Sequence, residues 1–250
     1  WEKIFNLLLK QNSGFKTYGF IHNPIRDWDL RFLFNTKNNH KNSPDYFLVG
    51  DLITSQYLNQ FHEFEKKILN VEALRFLNVK KDIISRRKIT PGKKHKLTIF
   101  TDFDNETTLF QMSILFSSIY FKKNLLDVVI KEHPAKKGFI LKKIRDKKQI
   151  SLTLNDPIKL IKESDIVFVS SGSSMVINLY YSKIPFLICG NTSLDYSILG
   201  NINKGKIVNN SSQFDEYINK TLNNDYSFQE NSDIFNHDRN LKEWIKIIKN

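Results

Sequence analysis

The chain has 250 residues, with 38 Lys and Arg against 26 Asp and Glu, and a formal net charge of +12 at pH 7. Its 40% apolar and 26% charged residues describe an ordinary globular protein, with core enough for one large domain or two small ones. No apolar run reaches the length of a membrane span, no signal-like segment opens the chain, and the single Cys189 excludes an internal disulfide framework and suits a reducing compartment.

Trp1 already stands in a helical pattern with no initiator Met before it, so the expectation is a fragment whose N-terminal part is missing. Residues 4–9 end that amphipathic helix, closed by Asn12-Ser13-Gly14. Residues 15–21 predict a short strand, ended by the turn His22-Asn23-Pro24. Residues 27–34 mix charge and aromatics with no clear period, and residues 35–44 are a polar loop. Residues 46–49 predict a buried strand ending at Gly50-Asp51, a helix follows to about residue 58, and residues 67–76 hold another short strand.

Residues 78–95, with Lys80-Lys81-Asp82, Arg86-Arg87-Lys88 and Thr90-Pro91-Gly92, form the best domain boundary. Beyond it strands and helices alternate. Strands are predicted at 97–101, 128–131, 150–154, 166–169, 186–189 and 206–208, and helices at 107–121, 136–145, 157–162, from Met175 onward and at 213–222. A last amphipathic helix spans 241–248. Such alternation implies a parallel sheet with helices on both faces and ligands at the C-terminal strand ends.

The stretch from Asp165 to Pro185 is the focus of the chain: an apolar strand, then Ser170-Ser171-Gly172-Ser173-Ser174, then a helix. A serine- and glycine-rich turn at a helix N-terminus offers backbone N–H groups and hydroxyls to a phosphate. The same residues also read as a Ser N-cap with a glycine turn. Other polar groups likewise follow predicted strands: His22, Asp51, Asp102 and Asp104, and Lys131-Glu132-His133-Pro134. Pro134 fixes the turn after His133, and His133 and the serine turn are expected to bind one phosphate from two neighbouring strands. A buried structural histidine is the alternative.

Gly-x-Gly-x-x-Gly and the P-loop are absent, the nucleophile-elbow pattern is incomplete, and no His or Cys spacing suggests a metal. The positive charge admits nucleic acid, an anionic membrane surface or phosphorylated substrates. Its lysines are spread along the chain, often paired: Lys80-Lys81, Lys93-Lys94, Lys122-Lys123, Lys136-Lys137 and Lys147-Lys148. No RNA-binding aromatic motif accompanies them, so no nucleic-acid partner is expected, and peripheral contact with an anionic membrane is.

The pairing of Lys131-Glu132-His133-Pro134 with Ser170-Ser171-Gly172-Ser173-Ser174 resembles the donor domain of GT-B glycosyltransferases. It is closest to the bacterial surface-carbohydrate group with polysialyltransferase-like and Kdo-transferase-like enzymes. Tyr18-Gly-Phe-Ile-His22, Trp28-Asp-Leu-Arg-Phe32, Gly50-Asp51 and Ala73-Leu-Arg-Phe76 resemble parts of surface carbohydrate biosynthesis proteins, so the likeness covers most of the chain. It implies an α/β, GT-B-like fold of two Rossmann-like domains with parallel sheets, the N-terminal one incomplete. Residues 1–90 would end the acceptor-side domain, residues 91–230 would bind the donor, and residues 231–250 would form a helix packing back across the cleft.

The implied reaction transfers a sugar, by preference a CMP-activated acidic one, from a nucleotide donor to a cell-surface glycan or its lipid-linked form, in the cytoplasm or at the inner face of the cytoplasmic membrane. Lys131, His133, Ser171, Gly172, Ser173, Ser174 and Asn178 would hold the donor. His22, Asp27 and Asp29 would act on the acceptor side, with Asp51, Arg75, Asp102 and Asp104 as further cleft candidates. No cofactor or metal is expected. Asn178 stands where many GT-B enzymes carry a ribose-binding Glu, and Lys183 replaces a common Gly. Alternatives are a UDP-sugar epimerase or glycerophosphate polymer transferase of the same fold, and a non-catalytic nucleotide- or glycan-binding homologue.

Overall fold

A computed structural model describes residues 2–11, 15–25, 43–61, 64, 67–79, 93–144, 147–190, 207–223, 225 and 233–249. In chain order the elements are α1 (Glu2–Gln11), β1 (Tyr18–Ile21), β2 (Tyr46–Val49), α2 (Leu52–Leu58), β3 (Ile68–Asn70), β4 (His95–Phe100), α3 (Asn105–Ser117), α4 (Ile119–Lys122), β5 (Leu126–Lys131) and α5 (Leu141–Ile144). There follow β6 (Ile150–Leu152), α6 (Pro157–Glu163), β7 (Ile166–Ser170), α7 (Met175–Tyr180), β8 (Phe186–Cys189), β9 (Ile207–Val208), α8 (Ser211–Leu222) and α9 (Lys242–Lys249). They fall into two units, residues 1–78 with 232–250, and residues 79–231.

The first unit carries a parallel sheet in the order β1-β2-β3. Its central strand is the apolar run of the sequence, buried through Phe47, Leu48 and Val49 and packed with Ile25, Leu58 and Phe64. A Cβ on Gly50 would stand 2.7 Å from the Ala73 Cα, so only glycine lets the end of β2 meet the turn after β3. The C-terminal segment returns to this unit. Phe235 bridges antiparallel to Asp51, Leu52 N donates to Ile234 O, and Ala73 N donates to Asn236 O.

The second unit is a six-stranded parallel sheet in the order β6-β5-β4-β7-β8-β9. Side chains alternate across it. Leu97, Ile99, Val128, Ile130 and Phe168 face Met112 and Leu115 of α3 and Phe214 and Ile218 of α8, with the Phe168 and Phe214 rings 5.1 Å apart. The opposite face bears Thr98, whose Oγ1 accepts from Ser164 Oγ at the end of α6 at 2.6 Å. Helices therefore cover both faces, as the strand–helix alternation implies. No described helix is long and apolar enough to cross a membrane.

Three expectations change in detail. The helix expected over 107–121 is two, α3 and α4, broken at Ser118, which caps α4 and donates to Asp215 at 2.5 Å. The helix expected over 136–145 is a 3-10 turn at Pro134–Lys136 and the four-residue α5, because Glu132 captures backbone N–H groups of this segment. The strand expected over 67–76 is β3 followed by a 3-10 turn at Leu74–Phe76. The readings of residues 27–34, and most of those of 35–44 and 78–95, lie outside the described residues.

Candidate functional site

The chain runs β4, β5, β6 in one direction across the second sheet and then crosses back to place β7 on the other side of β4. β4 and β7 pair side by side, but the strand order reverses between them, and such a switch point is where open α/β sheets bind ligands. Asp102, just past β4, is buried there. Its Oδ2 accepts a short bond from Ser170 Oγ at the end of β7, and its Oδ1 accepts from Asp104 N at 2.9 Å. Beneath them Gln111 Nε2 donates to Phe100 O and Phe168 O, tying the same two strands. Gly172 lies against this carboxylate so closely that a Cβ would come within 2.5 Å of Oδ2.

The serine turn is tighter than the sequence suggests. Ser173 N donates to Ser170 O, Val176 N to Ser173 O, Ile177 N to Ser174 O, and Met175 N to Ser173 Oγ. α7 is only six residues long, and these i→i+3 bonds consume donors that an anion at its N-terminus would have used. The hydroxyls of the turn are then candidate donors to a ligand. Ser171 Oγ is buried with no hydrogen-bond partner, an arrangement that a ligand oxygen would satisfy. Asn178 is half-buried on α7, one turn beyond Ser174.

His133 follows β5, on the other side of β4 from the serine turn, so the two strands are not neighbours as expected. Two strand spacings, roughly 9–10 Å, separate their ends. His133 N donates to Thr101 Oγ1 at 3.0 Å, and its Nδ1 accepts from Ala135 N at 3.3 Å. With Nδ1 accepting, Nε2 is the ring nitrogen left to donate. Glu132 fixes the loop beyond it, accepting from Gly138 N at 2.7 Å and Ile140 N at 2.6 Å. Lys131 points its ammonium elsewhere, to Leu154 O and Asn155 O at 3.2 and 2.7 Å.

Asp104 caps α3; bonds from Thr107 N and Thr107 Oγ1 hold its carboxyl below the usual range. Cys189, at the end of β8, is a buried thiol pushed up to about 12 by burial, with the charge of Asp102 adding to the effect. It stays protonated at neutral pH and is no nucleophile. Among the described residues, no group of three or more His, Cys, Asp or Glu is placed to hold a metal ion.

In the first unit, His22 is exposed after β1, and Arg75 Nη1 donates to the neighbouring Asn23 Oδ1 at 2.5 Å. Asp51 is the buried N-cap of α2, accepting from Thr54 N at 2.7 Å, and burial pushes its carboxyl up to about 6. Asp27 and Asp29 lie outside the described residues. Sequence reasoning passed over Thr101, the Asp102–Ser170 bond and the bracing role of Glu132. The signal was present only in their positions at strand ends.

No protein-family model matches the chain, and no curated protein matches it. Solved structures do. A Listeria monocytogenes protein assigned as a UDP-N-acetylglucosamine 2-epimerase superposes with a TM-score of 0.61 at 15% identity, over 96% of this chain and 68% of that one. The Methanocaldococcus jannaschii UDP-GlcNAc 2-epimerase in complex with UDP-GlcNAc and UDP gives 0.58 at 15% identity, over 99% and 70%. S. aureus MnaA bound to UDP gives 0.60 at 11%, over 98% and 76%. At such identities the likeness is one of fold: the chain is an α/β protein with two Rossmann-like parallel sheets of the GT-B-like type.

Proposed function

We propose that this chain handles a nucleotide-activated sugar, with the second unit holding the nucleotide's phosphates at the switch point beyond the ends of β4 and β7. The observation that carries the reading is the buried Asp102–Ser170 brace beside the unpartnered Ser171 Oγ, at the switch point of a parallel sheet. Ser171 and Ser173 hydroxyls and His133 Nε2 are the side-chain donors on offer around that point. When the bond from sugar to phosphate breaks, charge grows on the phosphate, and preplaced donors stabilise that charge.

The separation of His133 from the serine turn suits a diphosphate better than a single phosphate group. This favours a nucleoside diphosphate sugar such as a UDP-sugar over the CMP-activated acidic sugar expected from the motifs. The reaction we infer is transfer of that sugar to a surface glycan or its lipid-linked precursor, at the inner face of the cytoplasmic membrane. His22 is the candidate acceptor-side base. A second reading, epimerisation of a UDP-sugar, is favoured by the fold likeness to UDP-GlcNAc 2-epimerases.

Calorimetric titration with UDP, CMP, GDP and ADP tests the site. UDP should bind most tightly, and His133→Ala should weaken it at least about tenfold, since a hydrogen bond to a charged group contributes about 1.5–3 kcal/mol. Unchanged UDP affinity in a folded His133→Ala variant removes His133 from the site. Incubation with UDP-GlcNAc separates the two readings: a C2-epimerised product supports the second, and UDP released only when a glycan acceptor is added supports the first.

A further inference from the structure

Three of the lysine pairs in the sequence meet at one place. Lys94 precedes β4, Lys122 ends α4 ahead of β5, and Lys147 and Lys148 precede β6, and all four line a cavity of about 630 Å3. This is the N-terminal edge of the sheet. The switch point lies at the other end of β4, roughly 20 Å away at the usual rise of six strand residues.

The cavity has fixed walls. Asn124 adopts a left-handed φ of 56°, which asparagine tolerates better than most residues, and its Oδ1 accepts from Lys94 Nζ at 2.8 Å. Gln149 Nε2 donates to Phe121 O at 3.1 Å, joining the start of β6 to the end of α4. Phe116 gives an apolar side, with Lys147 Nζ 5.7 Å from its ring centroid. Among the described residues no carboxylate pairs with any of the four lysines; the ion pairs of this unit are Lys96–Glu163 and Lys220–Glu216.

Four lysines lining one concavity concentrate positive charge there, and an anion of more than one charge is attracted to such a place. A volume in the range of small-molecule sites favours a discrete ligand over a flat surface. We propose that this pocket is a second anion site, distinct from the switch point, which takes a multiply charged phosphate group, either of a soluble phosphate ester or of a lipid headgroup. The assignment does not depend on the nucleotide-sugar reading.

Inorganic tripolyphosphate is the soluble probe, and vesicles of phosphatidylglycerol in phosphatidylcholine are the headgroup probe. Both are applied to the whole chain and to a Lys122→Gln/Lys147→Gln variant. Both lysines are exposed, so the variant should keep its melting temperature. Tripolyphosphate should bind the native chain in the presence of saturating UDP, and at least tenfold more weakly to the variant. Loss confined to vesicle sedimentation identifies the phosphate as that of a lipid. Equal binding of both probes by native chain and folded variant overturns the site, as does failure of the native chain to bind either. Lys94→Gln/Lys148→Gln provides an independent second variant and should behave alike.

Discussion

Gly172 stands where β7 leaves the sheet, and the Asp102 carboxylate fills the space a side chain would need. That carboxylate cannot swing aside cheaply, because Ser170 Oγ and Asp104 N hold its two oxygens. Gly172→Ala should therefore destabilise the second unit by about 1–3 kcal/mol and abolish the proposed nucleotide binding, as thermal melts and titration would register. Ser173→Ala should do much less. Asp51 offers a contrasting residue-level test. Its carboxyl is raised to about 6, so the folded chain holds this proton more tightly than the unfolded chain does. The stabilisation from protonated Asp51 is complete below about pH 4 and is lost as pH rises through about 6. Asp51→Asn keeps a good cap for Thr54 N and removes the charge. Relative to the native chain it should gain stability between pH 4 and 6, reaching at most about 3 kcal/mol at pH 7–8. Urea midpoints measured across that range decide it, and a flat difference between the two proteins would refute the assignment.

At the scale of elements, legibility followed locality. β2, β4, β5, β7 and β8 were readable because buried parallel strands are unbroken apolar runs, and the turns after them announced the polar strand ends. The break at Ser118 was not, since the apolar pattern continues through it while the cause is Asp215, nearly a hundred residues away. Likewise the serine turn was legible as a turn, but the spending of its N–H groups on tight internal bonds was not. The strand order that sets His133 and Ser171 on either side of β4 depends on a crossover that no local pattern encodes. α9 depends on distance in sequence most of all. Glu72, buried after β3, accepts from Glu243 N at 3.0 Å and Trp244 N at 3.2 Å, while Glu72 O accepts from Trp244 Nε1 at 2.9 Å. A carboxylate at a helix N-terminus satisfies donors the helix cannot and opposes its dipole. Glu72→Ala should cost about 1–3 kcal/mol and speed hydrogen exchange in α9, leaving amides of the second unit unchanged. Protection of α9 equal to that of the native chain would show the cap to be dispensable.

On the scale of the whole molecule, the two units are built from the chain in different ways. The second is continuous, residues 79–231, whereas the first joins residues 1–78 to 232–250. The returning segment is part of that unit's interior. Ile234 and Phe235 are buried, Phe235 packs on Phe76 with ring centroids 4.6 Å apart, and the Trp244 ring meets Phe20 edge-on at 5.0 Å. Its backbone also answers that of Gly50, Leu52 and Ala73. Ending the chain at residue 231 would expose the faces that Ile234 and Phe235 cover, each worth about 1.5–3 kcal/mol when fully buried. It would also leave the Glu72 carboxylate without the N–H groups that compensate it. These losses fall on a unit whose sheet has three described strands, against six in the other. The truncated chain should lose the cooperative unfolding of the first unit while the second retains its own transition and its binding of tripolyphosphate. Calorimetric scans of the full and shortened chains measure this directly. Two transitions surviving truncation would mean that residues 1–78 are stable without the C-terminal segment, and loss of both would mean that the second unit depends on the first.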